Sequence, residues 1–270
     1  MIGRKAAVGL TLLCALVFPA FAASSASAEV AGTTAFTCVP MIEGVTGFKD
    51  AHCAEKAANQ AEVKFVHKEI KQDETTKIHG TNEKTKNNTS EHTPAMLETA
   101  IAGISIKITC TKVFAHGNQT NKLEPAPSKE HWIHGEKITV HYTECELNLA
   151  KCEVENKTVL AEGITATTTE LGENIRFKPE VGNTFVTFNI VNKAGEQCSI
   201  TGKFPVVGSL RAQLSGATLN FTHKAITGEK TLTFGGQPAG LSGSITVSQA
   251  AETAETGKTG NPISVATVET

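Results

Sequence analysis

The stretch Ile104-Ser105-Ile106-Lys107-Ile108-Thr109-Cys110 alternates apolar and polar residues, and Ile138-Thr139-Val140-His141-Tyr142 does so again before the chain reaches Cys145. Period-two alternation rich in β-branched residues is the pattern of half-buried strands. Two such strands, each with a cysteine at its end, predict a pair that faces one core and is stapled by Cys110 and Cys145.

The same style recurs outward from this pair. Strands are predicted over residues 63–65, 96–101, 158–167, 174–177, 184–191, 199–204, 206–210, 217–221, 231–234 and 241–247, with breaks at Gly103, Gly172, Gly182, Gly195, Gly216, Gly228 and Gly235-Gly236. Only residues 54–61, rich in Ala, suit a helix, and then for one or two turns. Residues 72–90 are almost devoid of apolar side chains and read as an exposed hairpin or a loop. Residues 115–131 form the longest polar break, and Pro125 and Pro127 disfavour a central strand there. Many short strands with turn residues between them predict an all-β fold, an antiparallel β-sandwich or a barrel-like sheet. Long helices do not alternate with the strands, which disfavours a parallel α/β fold.

The N-terminus has Arg4 and Lys5, an apolar run over residues 6–23 and two small-residue patterns, Ala20-Phe21-Ala22 and Ala26-Ser27-Ala28. This is the form of a secretory signal peptide over residues 1–28, cleaved after Ala28. A β domain is then expected over 29–249, with a cut near 146–150 compatible with two subdomains. Residues 250–270 read as a low-complexity C-terminal segment whose first part, 250–260, is a flexible tail. No second apolar segment is long enough to span a bilayer. The expected product is secreted, extracellular and without stable membrane insertion after cleavage.

Loss of Arg4 and Lys5 with the signal peptide reduces the 25 basic residues to 23, against 27 acidic ones. Only Arg176 and Arg211 remain as arginines, so the clustered guanidinium surface of a nucleic-acid binder is missing. Cys14 leaves as well. Cys38, Cys53, Cys110, Cys145, Cys152 and Cys198 remain, an even set in an exported chain, which argues for disulfides; six cysteines permit fifteen connectivities. The expected pairing joins Cys38 to Cys53, Cys110 to Cys145 and Cys152 to Cys198. The first of these closes a loop of about 15 residues, worth roughly 3 kcal/mol in the chain-entropy model.

Candidate chemistry is sparse. His131 and His134 lie three apart near His116 and His141, but between a Pro-containing loop and a strand the helical geometry that would join them is not available. Asp occurs only at Asp50 and Asp73, which disfavours calcium loops and Asp-dependent triads. Glu pairs such as Glu144 with Glu146 read as solvated faces. Ser242 lacks the glycine spacing of a nucleophile elbow. No catalytic, cofactor-binding or metal-binding residue is assigned. For ligand contact, Trp132 with His131 and His134 forms the best candidate, in what reads as a loop.

The segments Phe36-Thr37-Cys38, Phe48-Lys49-Asp50-Ala51-His52-Cys53, Ile108-Thr109-Cys110, Tyr142-Thr143-Glu144-Cys145, Gly216-Ala217-Thr218-Leu219-Asn220-Phe221 and Leu232-Thr233-Phe234-Gly235-Gly236-Gln237-Pro238-Ala239 together resemble a family. It is the uncharacterised secreted, Cys-containing β-rich proteins of soil actinobacteria. The resemblance implies a bacterial cell exterior and carries no activity. The leading expectation is a secreted non-catalytic protein that binds an extracellular ligand or envelope component or serves a structural role. The alternatives are a secreted hydrolase using Glu residues or the His116, His131, His134 and Trp132 region, and a glycan-binding module presenting Trp132 or Tyr142.

Overall fold

A computed structural model describes residues 30–41, 46–83, 93–123, 131–168, 174–221, 232–250 and 259–269. The signal-peptide reading of residues 1–28 lies outside them. The strands in chain order are β1 (Val30–Pro40), β2 (Phe65–Glu69), β3 (Thr75–Thr81), β4 (Ala95–Ile101), β5 (Ile104–Leu123), β6 (His131–Leu147), β7 (Cys152–Val154) and β8 (Thr158–Thr168). There follow β9 (Asn174–Pro179), β10 (Thr184–Asn192), β11 (Gly202–Val207), β12 (Leu210–Ser215), β13 (Thr218–Phe221), β14 (Thr233–Phe234), β15 (Gln237–Ala250) and β16 (Thr259–Glu269). The expected all-β class holds, and of the two expected forms the chain takes the barrel, a closed ring of eight strands with further strands attached.

Closure follows from the pairings. β5 pairs with β6, β6 with β8, β8 with β9, β9 with β12, β12 with β13, and β13 with β15. Both β3 and β4 then fill the one remaining place between β15 and β5, β4 along residues 104–110 of β5 and β3 along residues 114–120. Complete pairing leaves the ring no open edge. Two additions sit on it. A small sheet of β7, β10, β11 and β14 continues from β15, and β1, β2 and β16 form a second annex that reaches both β6 and β15. β1 pairs with β6 at Gly32 and His131; a Cβ on Gly32 would lie 2.0 Å from the His131 carbonyl oxygen, and its φ of +97° suits only glycine.

The alternation quoted at the outset points inward. Ile106, Ile108 and Cys110 are buried on β5, and Cys145 and Leu147 on β6. The inward set then steps by one residue. Glu144 adopts φ 54°, so that Thr111 and Lys112 on one strand and Thr143 and Glu144 on the other precede the next inward pair, Val113 opposite Tyr142. Outside, the Lys112 ammonium lies 2.7 Å from Glu144. All three expected disulfides form: Cys38 with Cys53, Cys110 with Cys145, and Cys152 with Cys198. Cys110 and Cys145 face each other directly across β5 and β6.

Of the one or two units that the sequence left open near 146–150, one apolar core that takes Leu97 to Leu147 together with Cys152 to Ile245 fits the single unit. Three expectations are corrected. Of the C-terminal segment 250–270, residues 251–258, most of the expected flexible tail, lie outside the described residues, while β16 is no appendage: it pairs with β1 and β15, and Ile263 and Ser264 are buried, because Ile263 and Val265 supply a short alternation among small polar residues. Residues 54–61 do not form an α-helix. The Ala54 and Glu55 N–H groups donate to the Asp50 carboxylate and Ala57 N–H to Gly47 O, which leaves only a 3₁₀ turn at Gln60–Glu62. The polar break at 115–131 is largely strand, since β5 continues to Leu123 and β6 starts at His131.

The polar end of β5 is buried because its side chains serve the main chain. Asn121 Oδ1 accepts from Ala35 N–H (3.0 Å) and Gln119 Nε2 (2.9 Å), while Nδ2 donates to Ala35 O and Ile70 O (both 2.9 Å). One amide thereby joins β5, β1 and the segment after β2. Asn121→Ala would leave these groups buried without partners, and we expect a loss of about 3 kcal/mol, at the upper end of the cost for one such change. Urea unfolding monitored by circular dichroism measures it, with the half-buried Lys122→Ala, which loses only the ion pair with Asp73, as a control within about 1 kcal/mol of wild type.

Candidate functional site

The residues singled out for ligand contact do not converge. Trp132 and His134 lie on the β6 face opposite buried Ile133 and Gly135, with ring centroids 5.5 Å apart, whereas His131 sits at the strand start opposite Leu123. The loop reading of Trp132, His131 and His134 is therefore corrected to strand: β6 begins at His131 because its partner β5 runs on to Leu123. His116 opposes Thr139, five residues along β6 from His134, a distance of roughly 17 Å at the usual rise per residue. Among the described residues no group of three or more His, Cys, Asp or Glu side chains could hold a metal ion. Glu144 is engaged by Lys112 and by the Thr111 hydroxyl, which hold its carboxyl below the usual range.

A cavity inside the barrel, of about 120 Å³, is the feature that pattern reading missed. Every position of the ring contributes to its wall, from Leu97 of β4 and Val113 of β5 through Tyr142 of β6, Ala161 of β8 and Phe177 of β9 to Leu210 of β12, Leu219 of β13 and Ile245 of β15. Phe185 and Phe188 of β10 and Val206 of β11 complete it, so the attached sheet packs against the same space. A second cavity of about 70 Å³ shares Ile78, Ile138, Phe177, Leu219 and Val247 with the first. Among the described residues no Lys, Arg, Asp or Glu lines either one. His116 lies at the first cavity's wall, but its ring is exposed on the outer face and stacks on His141 at 5.7 Å.

Tyr142 stands in this space with Ser242 and Ser244. It is half-buried at the wall, and the loss of hydration there pushes its phenol up to about 12, so the hydroxyl stays protonated at physiological pH. The expectation that Tyr142 faces inward and His141 outward holds, and it removes Tyr142 from any sugar platform on the outer surface.

Two further polar clusters escaped the sequence reading because their partners are far apart in the chain. His67 Nε2 lies 2.8 Å from Ser264 Oγ, and its ring is packed between Phe36 (4.8 Å) and Phe48 (4.4 Å). Ser264 is 1% exposed, so its hydroxyl is shut off from solvent and serves packing. On the outer face His79 opposes His116 across β3 and β5.

Compared with known proteins, the chain matches no family model, no curated protein and no solved structure. The actinobacterial resemblance thus has no matching family behind it. No helix among the described residues is long and apolar enough to cross a membrane.

Burial, aided by Lys56, lowers the pKa of His67, and burial, aided by His116, lowers that of His79, from the ordinary 6.5. As pH falls through 6.5 the unfolded chain takes up these protons before the folded one does, so the fold loses stability toward acid and regains it above that value. The thermal midpoint should therefore fall between about pH 7.5 and about pH 5.5, and His67→Gln with His79→Gln should flatten the slope in that window. Scanning calorimetry across the range tests this.

Proposed function

We propose that the protein is an exported, non-catalytic binding protein that holds a small apolar ligand inside its barrel. The observation that carries this reading is the apolar cavity walled by every position of a closed ring. Ligand sites are concave and mostly apolar with few polar groups, and barrel interiors are among the places where they occur. Export is supported by the leader-like N-terminus and by three disulfides, which persist in oxidising surroundings. On this reading the partner is an extracellular or envelope-derived molecule and not nucleic acid, for which the chain lacks a basic cluster.

Catalysis is not required by this arrangement. The wall is mainly hydrocarbon, its polar residues being Tyr142, Ser242, Ser244 and the outward-turned His116, and a phenol held protonated by burial is a poor base.

A cavity of this size is comparable to the engineered protein cavity of about 150 Å³ that stays dry and binds benzene or xenon. Titration calorimetry with benzene should therefore give saturable binding. Ala161, 3% exposed on the wall, offers the control. Ala161→Leu fills the space, and we expect it to weaken benzene at least about tenfold, or about 1.4 kcal/mol, while circular dichroism stays unchanged. Undiminished binding by that variant would move the site elsewhere.

A further inference from the structure

Resting on the reading of the barrel interior as a binding site, we propose that its ligand is a small, uncharged, largely hydrocarbon molecule bearing one oxygen, which accepts a hydrogen bond from the Tyr142 hydroxyl.

Three observations converge on this ligand class. The first is charge. Among the described residues no Lys, Arg, Asp or Glu lines either cavity, so a carboxylate or ammonium would lose its hydration and gain no counter-charge from them. The second is the position of the phenol. Tyr142 opposes Val113 across β6 and β5 on the inward face and lines the larger cavity. No described residue hydrogen-bonds its hydroxyl, and burial is the one influence on its ionisation. Buried Tyr hydroxyls ordinarily find a partner, and a protonated phenol seeks an acceptor.

The other hydroxyls at the wall have different roles. Ser242 and Ser244 of β15 alternate with Leu241 and Ile245, and the Ser244 hydroxyl lies 3.3 Å from that of Thr93. Cys110 is held in its disulfide. Tyr142 is the hydroxyl that stands in the inward row of β6 with Ile138 and Val140, and so few donors at the wall match a ligand with one oxygen and not a polyol.

Volume is the third. The larger cavity, about 120 Å³, suits a molecule of one ring, and the adjoining 70 Å³ beyond Ile138 and Phe177 suits a short alkyl substituent. The wall there is hydrocarbon apart from Gln119 of β5, whose Nε2 donates to Asn121 and whose buried Oε1 can only accept, so a ligand oxygen belongs at the Tyr142 end.

Acetophenone and α-methylstyrene form the test pair, since the second replaces the carbonyl oxygen of the first with a methylene. Titration calorimetry on the disulfide-bonded protein should show both bound and benzoate not bound. Tyr142→Phe should weaken acetophenone about tenfold and leave α-methylstyrene within about twofold. In the wild-type protein, the carbonyl stretch of bound ¹³C-labelled acetophenone should lie below its position in hexane, a readout that needs no variant.

An unshifted stretch, equal weakening of both probes by Tyr142→Phe, or benzoate bound as tightly as acetophenone would overturn the proposal. Binding of α-methylstyrene with any of these results overturns the oxygen requirement and leaves the barrel-interior reading in place. Failure of the wild-type protein to bind either probe overturns both.

Discussion

Pairing of β5 with β6 over nearly their full lengths is the constraint on which the rest of the structure depends. β5 has 20 residues and β6 has 17, and one register runs from Ile108 opposite Leu147 to His116 opposite Thr139 before it shifts. In a sheet a slip of one residue would exchange every inward and outward side chain. The disulfide between Cys110 and Cys145 pins a directly opposed pair and so fixes that register covalently. On its two flanks the hairpin then presents edges that the ring must satisfy, β8 on the one side and β3 with β4 on the other. Closure through β13 and β15 satisfies the last backbone donors and acceptors, so a chain with no α-helix among its described residues still has a continuous core.

Alternation made the barrel half of this hairpin legible in the sequence, because Ile106, Ile108, Ile138 and Val140 bury hydrocarbon at every second position. It could not reveal the other half. Residues Gln119, Thr120 and Asn121 are as buried as the isoleucines, yet they are polar, and their burial is tolerated because Asn121 completes the hydrogen bonds of β1 and of the segment after β2. A pattern of hydropathy measures the cost of taking such a group out of water, not the partners it will meet from 86 and 51 residues away. β16 was hidden for a related reason. Its small residues carry little apolar area, and they are ordered by pairing with β1 and β15.

The candidate site was illegible for a different reason. A cavity is a property of the closed ring, made from single residues on many strands, and no local stretch encodes it. What could be read was the direction of Tyr142, from its place in the alternation with Ile138 and Val140. The chemically conspicuous residues misled, since they belong to one strand whose alternation puts Trp132 and His134 on one face and His131 on the other. Local spacing identifies a site only when one element carries it, as in helical metal motifs. In a barrel the interior is assembled by pairings between residues far apart in sequence.

The interior void also has an energetic meaning. At roughly 24 cal/mol per Å³, a cavity of 120 Å³ costs about 3 kcal/mol relative to a filled one, a large share of the net stability of 5–15 kcal/mol typical of a domain. The remedy is structurally simple, because Ala115 and Ala161 stand on the wall and a larger aliphatic side chain at either would fill part of the space. Three disulfides supply stability from a source that does not depend on the barrel interior. Cross-links constrain the unfolded chain, so a fold stapled this way tolerates a looser core than one held by packing alone. An occupant of the cavity would contribute on the same side of the balance, since a molecule bound only to the folded state stabilises it in proportion to the logarithm of its concentration over its dissociation constant. The void, the unshared Tyr142 hydroxyl and the staples therefore fit one physical arrangement, in which the proposed ligand would supply packing that the side chains leave undone.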